Sequence, residues 1–195
     1  MEFDKGLAWL TDNALSVLDF GCGSGTALFL CNKYGTDTHI GIDLSPQAIK
    51  SAIEKSKMIE NGNFQFLCGG IEALKGIQDE SMDSAILSNI IDNLYPDDAI
   101  SVLEEIKRIL KKNGKLLVKL NPFISDEQIE EYGIKKISGN LLDDGMILWN
   151  NTNEELEDIL GARYSISDYV EIYYEEYGQS NSCLLYTSDA ADDGE

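Results

Sequence analysis

The chain has 195 residues, 43% of them hydrophobic and 26% charged, which describes one soluble domain long enough for a single core. Its formal net charge of −20 repels DNA and bulk RNA, and "KRILKK", the lone basic cluster, closes a helix, so no nucleic-acid partner is expected. No apolar run approaches the ~18 residues of a membrane span, and "MEFDKGLAWL" lacks the pattern of a signal peptide, so no membrane partner and a cytoplasmic location are expected.

Strands and helices alternate along the chain. Ser16–Phe20 reads as a short buried strand and Thr26–Tyr34 as a helix, with the glycine turn "GCGSG" between them. Thr38–Asp43, "THIGID", is a second strand. Ser45 then caps a helix that Pro46 opens, where its missing N–H costs nothing. Ile49, Ala52, Ile53, Ser56 and Ile59 share one face of that helix, and Asn61-Gly62 stops it. "NFQFL" is the third strand and Ser84–Asn89 the fourth. Pro96 opens the clearest helix, with Ala99, Val102, Leu103, Ile106, Ile109 and Leu110 as its core stripe. Asp97 and Asp98 suit the positive end of its dipole, Lys111 and Lys112 are expected in its last turn, and Gly114 stops it. Lys115–Leu120 is the fifth strand.

Strands separated by helices form β-α-β units. The expected fold is therefore α/β, a Rossmann-like domain of three layers. Its sheet is mostly parallel, with helices on both faces and ligands at the carboxyl ends of the strands. Asn121–Asn150 interrupts the rhythm with a short polar helix, "SDEQIEEYG", and strand-like pieces around Asp144-Gly145. A break of ~30 residues inside a compact domain points to a functional flap. Thr152–Leu160 resumes as a helix, with Thr152 as N-cap and Glu155 at the capping-box position. "YSISDYVEIYYEEY" is a late strand. Residues 1–182 are expected to form one domain. "CLLYTSDAADD", Cys183–Asp193, reads as a translated transposase sequencing adapter, so residues 183–195 are expected to be artefactual and the natural C-terminus lost.

Cys22, Cys31, Cys68 and Cys183 make no C-x-x-C pair and His39 is the one histidine, so reduced thiols, a packed core histidine and no metal site are expected. The chemistry lies in "VLDFGCGSG". A strand, a glycine turn and a helix N-terminus form a cradle for a polar or anionic group, and glycines let a ligand touch backbone. Asp43, about 18 residues on, can accept hydrogen bonds from both hydroxyls of a ribose, which points to a nucleoside. Asp19 at the strand end suits a positive amino group and opposes a pyrophosphate. The dinucleotide pattern G-x-G-x-x-G also fails, because the third glycine, Gly25, comes one residue early.

"VLDFGCGSG" with "GIDLSPQAI" resembles the class I S-adenosylmethionine-dependent methyltransferases, in particular their small-molecule branch, over roughly Leu15–Leu120. The resemblance implies S-adenosylmethionine as cofactor. Gly21, Gly23, Ser24 and Gly25 would form the turn under its methionine part, with Asp19 orienting the amino group. Asp43 would hold the ribose and Leu44 pack beside the adenine. Gly70 stands where the family commonly has an acid. Ile71 can still offer its backbone N–H, and Glu72 a carboxylate. The family's position after strand four falls at Ser88 and Asn89. It also implies an antiparallel last strand, whose place "CLLYT" would occupy, so the native strand is expected to be lost or replaced. The Asn-Pro-Pro-aromatic motif of amino-methylating nucleic-acid enzymes is absent: "SNII" follows strand four, and Asn121-Pro122-Phe123 follows strand five. A small-molecule methyl acceptor is therefore expected. Asn89, Asp92 and Tyr95 are candidates near the transferred methyl, Asp92 as general base or, alternatively, as a helix cap. Phe123, Asp143 and Trp149 are expected to help form the acceptor pocket. Two alternatives remain, a cofactor-binding protein without transferase activity and a nicotinamide-dependent oxidoreductase.

Overall fold

A computed structural model describes residues 2–174 and 179–187. The β-α-β rhythm becomes β1 (Ser16–Phe20), α2 (Thr26–Lys33), β2 (Thr38–Asp43), α3 (Pro46–Ser56), β3 (Asn63–Cys68), α4 (Ile71–Leu74), β4 (Met82–Ser88), α5 (Pro96–Ile109) and β5 (Leu110–Lys119). A helix α1 (Glu2–Thr11) precedes them. After β5 come α6 (Asp126–Tyr132), β6 (Lys135–Ser138), β7 (Leu141–Asp143), β8 (Ile147–Trp149), α7 (Asn153–Gly161), β9 (Ser165–Tyr174) and β10 (Gln179–Thr187). The main sheet has the order β3-β2-β1-β4-β5-β10-β9, parallel from β3 to β5 and antiparallel at β10. The reversal of strand order at β1 and β4 opens the crevice in which such folds bind ligands.

The period of two along each strand sorts the core into two layers. Val17, Ile86 and Leu117 point to one face and pack with Leu7, Leu10, Leu28 and Ile49 from α1, α2 and α3. Leu18, Ala85, Leu87, Leu116 and Val118 point to the other and meet Leu74, Val102, Leu103, Ile106 and Leu160 from α4, α5 and α7. Buried Tyr164 closes that layer, its hydroxyl donating to the Leu103 carbonyl at 2.6 Å. His39 is a packed core histidine, stacked on Phe64 with Nε2 2.8 Å from the Thr36 hydroxyl. No helix among the described residues is long and apolar enough to cross a membrane.

Four local expectations need correction. Lys111 and Lys112 do not lie in the last turn of α5. Leu110 already pairs with Met82 in β5, and Lys107 and Arg108 are the basic residues of that turn. Asn113, not Gly114, takes the left-handed φ of 60°. Gly114 is required by crowding, since a Cβ there would lie 2.8 Å from the Lys111 carbonyl oxygen. Helix α3 ends at Ser56, before Asn61-Gly62. Asp92 does not cap α5, whose N-cap is Tyr95.

The segment between β5 and α7 builds its own three-stranded sheet, β6-β7-β8. One face, with Leu141, Ile147 and Trp149, joins the main core. The other, with Leu142 and Leu148, packs on Ile124 and Ile129 of the α6 arm. The place of the antiparallel last strand is filled by β10, which contains Cys183–Thr187 of the adapter-like stretch. Glu175–Tyr177 of the late strand and residues 188–195 lie outside the described residues.

Candidate cofactor and acceptor site

Strand β1 delivers the chain to the crevice and the glycines turn it. Gly21, Gly23 and Gly25 have φ of 84°, 52° and 82°, a region that side chains enter at a cost. Gly25 is the N-cap of α2 with no side-chain capping bond, so the helix start faces the crevice as bare backbone. The amides of Gly21 and Cys22 both donate to the Ile42 carbonyl, at 2.8 and 3.0 Å, fastening the turn to β2. Cys22 packs its thiol over Gly41, where an added Cβ would lie 2.8 Å from Sγ. Burial raises the pKa of that thiol, so it stays protonated.

Asp43 is the hinge of the arrangement. Its Oδ2 accepts the Gly23 N–H at 2.8 Å and its Oδ1 the Ser45 N–H at 2.8 Å, binding the turn to the start of α3. Each oxygen keeps a second lone pair for a ligand. Asp19 is buried at 3% exposure. Burial first, then the charge of Asp43, raises its carboxyl to about 7. At Gly70 the neighbouring carboxylate is that of Glu72. The Glu72 carboxylate accepts the Gly70 N–H at 2.9 Å, which holds it below the usual range for a carboxyl group. A Cβ on Gly70 would lie 3.1 Å from Glu72 Oε2.

A cavity of about 350 Å³ lies over this turn. It gathers Gly21, Asp43, Leu44, Gly70 and Ile71 of the expected residues, with Glu72. Leu44 stands at its rim, 74% exposed, an apolar surface for a flat base. Gly23, Ser24 and Gly25 continue the turn beyond the cavity lining, and the Ser24 hydroxyl accepts from Lys55 at 2.8 Å. The sequence reading missed Ile90, Leu94 and Asp98, which close the cavity from the opposite side. Ile90 and Leu94, two of the three aliphatic residues in "SNIIDNLYP", carry the available signal.

A second cavity, of about 360 Å³, opens between the β4 and β5 exits and the inserted segment. The segment after β4 divides the two, with Ile90 and Leu94 facing the first and Asn93 the second. Its polar end is a fixed network. Lys119 donates to Asn89 Oδ1 at 2.7 Å, Asn89 Nδ2 to Asn121 Oδ1 at 2.6 Å, and Asn93 Nδ2 to the Asn89 carbonyl at 2.7 Å. Asn89 has the left-handed φ of 55°. Asp92, 3% exposed, accepts the Asn121 N–H at 2.6 Å and lines neither cavity. Burial raises its pKa, offset in part by Asn121 and Lys119. Of the three residues expected in the acceptor pocket, none lines it. Trp149 is drawn into the main core by its place on β8, Asp143 accepts the Gly145 N–H, and Phe123 points to solvent at 49% exposure. Tyr132, Ile134, Asp144 and Met146 line it instead. Among the described residues no group of His, Cys, Asp and Glu could hold a metal.

These features define an α/β domain with a cavity over the glycine turn and an adjoining second cavity. A methyltransferase-domain family model matches residues 11–152, and the chain belongs to that family. It carries a methyltransferase domain in the fold of solved methyltransferases. It is 26% identical over 176 residues to the fission yeast (Schizosaccharomyces pombe) tRNA N(3)-methylcytidine methyltransferase trm140, covering 85% of this chain and 57% of that protein. It is 33% identical over 104 residues to a ribosomal protein L11 methyltransferase of Thermosipho melanesiensis, covering 53% of this chain and 37% of that protein. The chain thus spans only part of these curated relatives. The Burkholderia thailandensis 1,6-didemethyltoxoflavin-N1-methyltransferase, solved with 1,6-didemethyltoxoflavin and S-adenosylhomocysteine, superposes with a TM-score of 0.75 at 17% identity, over 97% of this chain and 79% of that one.

Proposed function

We propose that this chain transfers the methyl group of S-adenosylmethionine to a small molecule held in the second cavity. The observation that carries the reading is the pairing of a nucleoside-sized cavity under the glycine turn with a separate cavity across the Ile90–Leu94 segment. The residues fit the cofactor: bare backbone at Gly21–Gly25, a carboxylate with free lone pairs at Asp43, and an exposed apolar side chain at Leu44. When bound, the cofactor supplies an already electrophilic methyl group. The chain's task is to align the acceptor and exclude water, where proximity and orientation dominate. Asp43 holds the ribose, Asp19 faces the amino group, and Glu72 takes the role of the missing acid at the adenine edge. Asp92 acts through Asn121 as a positioning residue, and a general base is needed only for an acceptor atom that must lose its proton during attack.

Asp19 gives the reading a pH signature. Its folded value of about 7 lies above its ordinary 3.8, so its contribution to the stability of the free protein is full below 3.8 and is lost as pH rises through about 7. A cationic amino group stabilises the charged form, so binding releases a proton below about pH 7. Affinity for S-adenosylhomocysteine should rise with pH up to that point, at most about tenfold per unit, and level off above it. Calorimetry from pH 5.5 to 8 checks this, and Asp19→Asn should flatten the dependence.

A tRNA acceptor, as in the yeast relative, needs a basic approach surface, and the net charge of −20 opposes it. The test is to incubate the chain with methyl-tritiated S-adenosylmethionine and, separately, the small-molecule, tRNA and protein fractions of a cell extract. Label in the small-molecule fraction is expected. Label in tRNA or protein overturns the acceptor class. No label anywhere, with cofactor binding intact, selects the reading of a binding protein without transferase activity.

A further inference from the structure

The hydrogen bonds at the second cavity fix which atoms its polar end presents. The Lys119 ammonium can only donate, so Asn89 must turn its Oδ1 toward it, at 2.7 Å. The Asn89 amide nitrogen then donates to Asn121 Oδ1 at 2.6 Å. Asn93 uses its own amide nitrogen on the Asn89 carbonyl at 2.7 Å. Asn93 keeps its carbonyl oxygen as an acceptor, with one amide N–H held on Asn89, and it lines the cavity beside the cofactor wall.

No cation is among the described residues that line the cavity, and the Lys119 ammonium behind its polar end is turned onto Asn89 Oδ1 at 2.7 Å. Asp144 is the one charged residue among the described residues that line it, and it stands exposed at the mouth. Asp126 on α6 is paired with Lys136 at 2.6 Å. The walls are apolar: Ile134, Ile147 and Leu148, with Tyr132 and Met146 exposed at 63% and 68%. A carboxylate or phosphate entering here would meet no cation to replace its hydration, and would approach a chain of net charge −20.

We propose that the acceptor is an amine with an apolar body, entering as a cation or neutral molecule past Asp144 and aligned by a hydrogen bond from its nitrogen to Asn93 Oδ1. This rests on the second cavity being the acceptor site. An ammonium form gives up a proton to water at the mouth before reaction. The nitrogen lone pair then forms the N–CH₃ bond as the S–CH₃ bond breaks, leaving the thioether S-adenosylhomocysteine. Asn93 takes no proton in this step; it holds the second N–H and so points the lone pair away from itself. A cavity of about 360 Å³ suits one- and two-ring bodies.

The test uses matched pairs that share a body and differ in charge: tryptamine against indole-3-acetate, and tyramine against 4-hydroxyphenylacetate. Saturation-transfer NMR is recorded on the full chain loaded with S-adenosylhomocysteine. Both amines should bind at least tenfold more tightly than their acids. Asp144→Lys, on an exposed turn outside the proposed cofactor site, should reduce or reverse the preference while S-adenosylhomocysteine binding stays unchanged. Asn93→Leu should abolish amine binding; because it also removes the bond to Asn89, the Asp144 variant keeps the test independent of local folding. Equal or tighter binding of the acids overturns the proposal, as does failure of both amines with S-adenosylhomocysteine bound normally. Failure of S-adenosylhomocysteine itself overturns the functional reading beneath it.

Discussion

Asp43→Ala should lower the affinity of the chain for S-adenosylhomocysteine by about a hundredfold, and by tenfold at the least. The substitution removes two proposed hydrogen bonds from ribose hydroxyls to a charged acceptor. At about 1.5 kcal/mol each, their loss is ~3 kcal/mol, or two decades in Kd. It also leaves the amides of Gly23 and Ser45 without their acceptor, each now 2.8 Å from a carboxylate oxygen. That loosens the glycine turn against α3, so the effect exceeds the ribose contacts alone. Asp43→Asn keeps the side-chain volume and one oxygen, and should fall between the two. Calorimetric titration reads all three proteins. Unchanged affinity in Asp43→Ala would remove Asp43 from the site.

Gly21→Ala should act on stability and on binding together. The residue sits at φ 84°, where an L side chain costs about 1–2 kcal/mol. An added Cβ would also overlap Ile90 Cδ1 and Cγ1, so Ile90 must move. Ile90 is itself a wall of the nucleoside cavity. Its displacement therefore alters the space the cofactor needs, and the loss of affinity should exceed tenfold. With ~2–3 kcal/mol lost, a chain of this size should melt roughly 5–10 °C lower. Gly23→Ala is the control: φ is 52°, yet nothing stands within 4 Å of the added Cβ. It should show backbone strain alone, a smaller fall in Tm. Equal effects at the two positions would mean that the Ile90 contact is unimportant.

The parts of the fold legible from sequence were those set by local signals. Ser45-Pro46 announced the start of α3, and the Ser45 hydroxyl does accept the Ala48 N–H at 3.2 Å. Thr152 and Glu155 announced the capping box of α7, and both of its hydrogen bonds form. The five parallel strands followed from apolar runs between helical patterns, clearest in β1 and β4, which are buried on both faces, and weakest in the edge strand β3. What escaped was decided by distant partners. Helix α1 has no strong cap signal, and what holds it is the burial of Leu7 and Leu10. The basic run at Lys111 reads as a helix end, but pairing of Leu110 with Met82 pulls it into the sheet. Trp149 reads as pocket material in a polar insertion. Its strand packs one face on the main core and the other on the α6 arm, and Trp149 falls on the core face. In the candidate site, the positive-φ glycine turn and the strand-end position of Asp43 were legible, because both leave a local mark in sequence. The asparagine network was not, since Lys119, Asn89, Asn93 and Asn121 meet only through the ends of β4 and β5.

The most direct measurement is thermal unfolding of the chain with S-adenosylhomocysteine and, separately, with NAD, each at about 100 times an expected Kd. A ligand of the native state at that level adds ~2.7 kcal/mol, a rise in Tm of roughly 5–10 °C for this length. A rise with S-adenosylhomocysteine and none with NAD is the predicted result. A rise with NAD alone, or with neither in a cooperative transition, would contradict the assignment of the glycine turn to this cofactor.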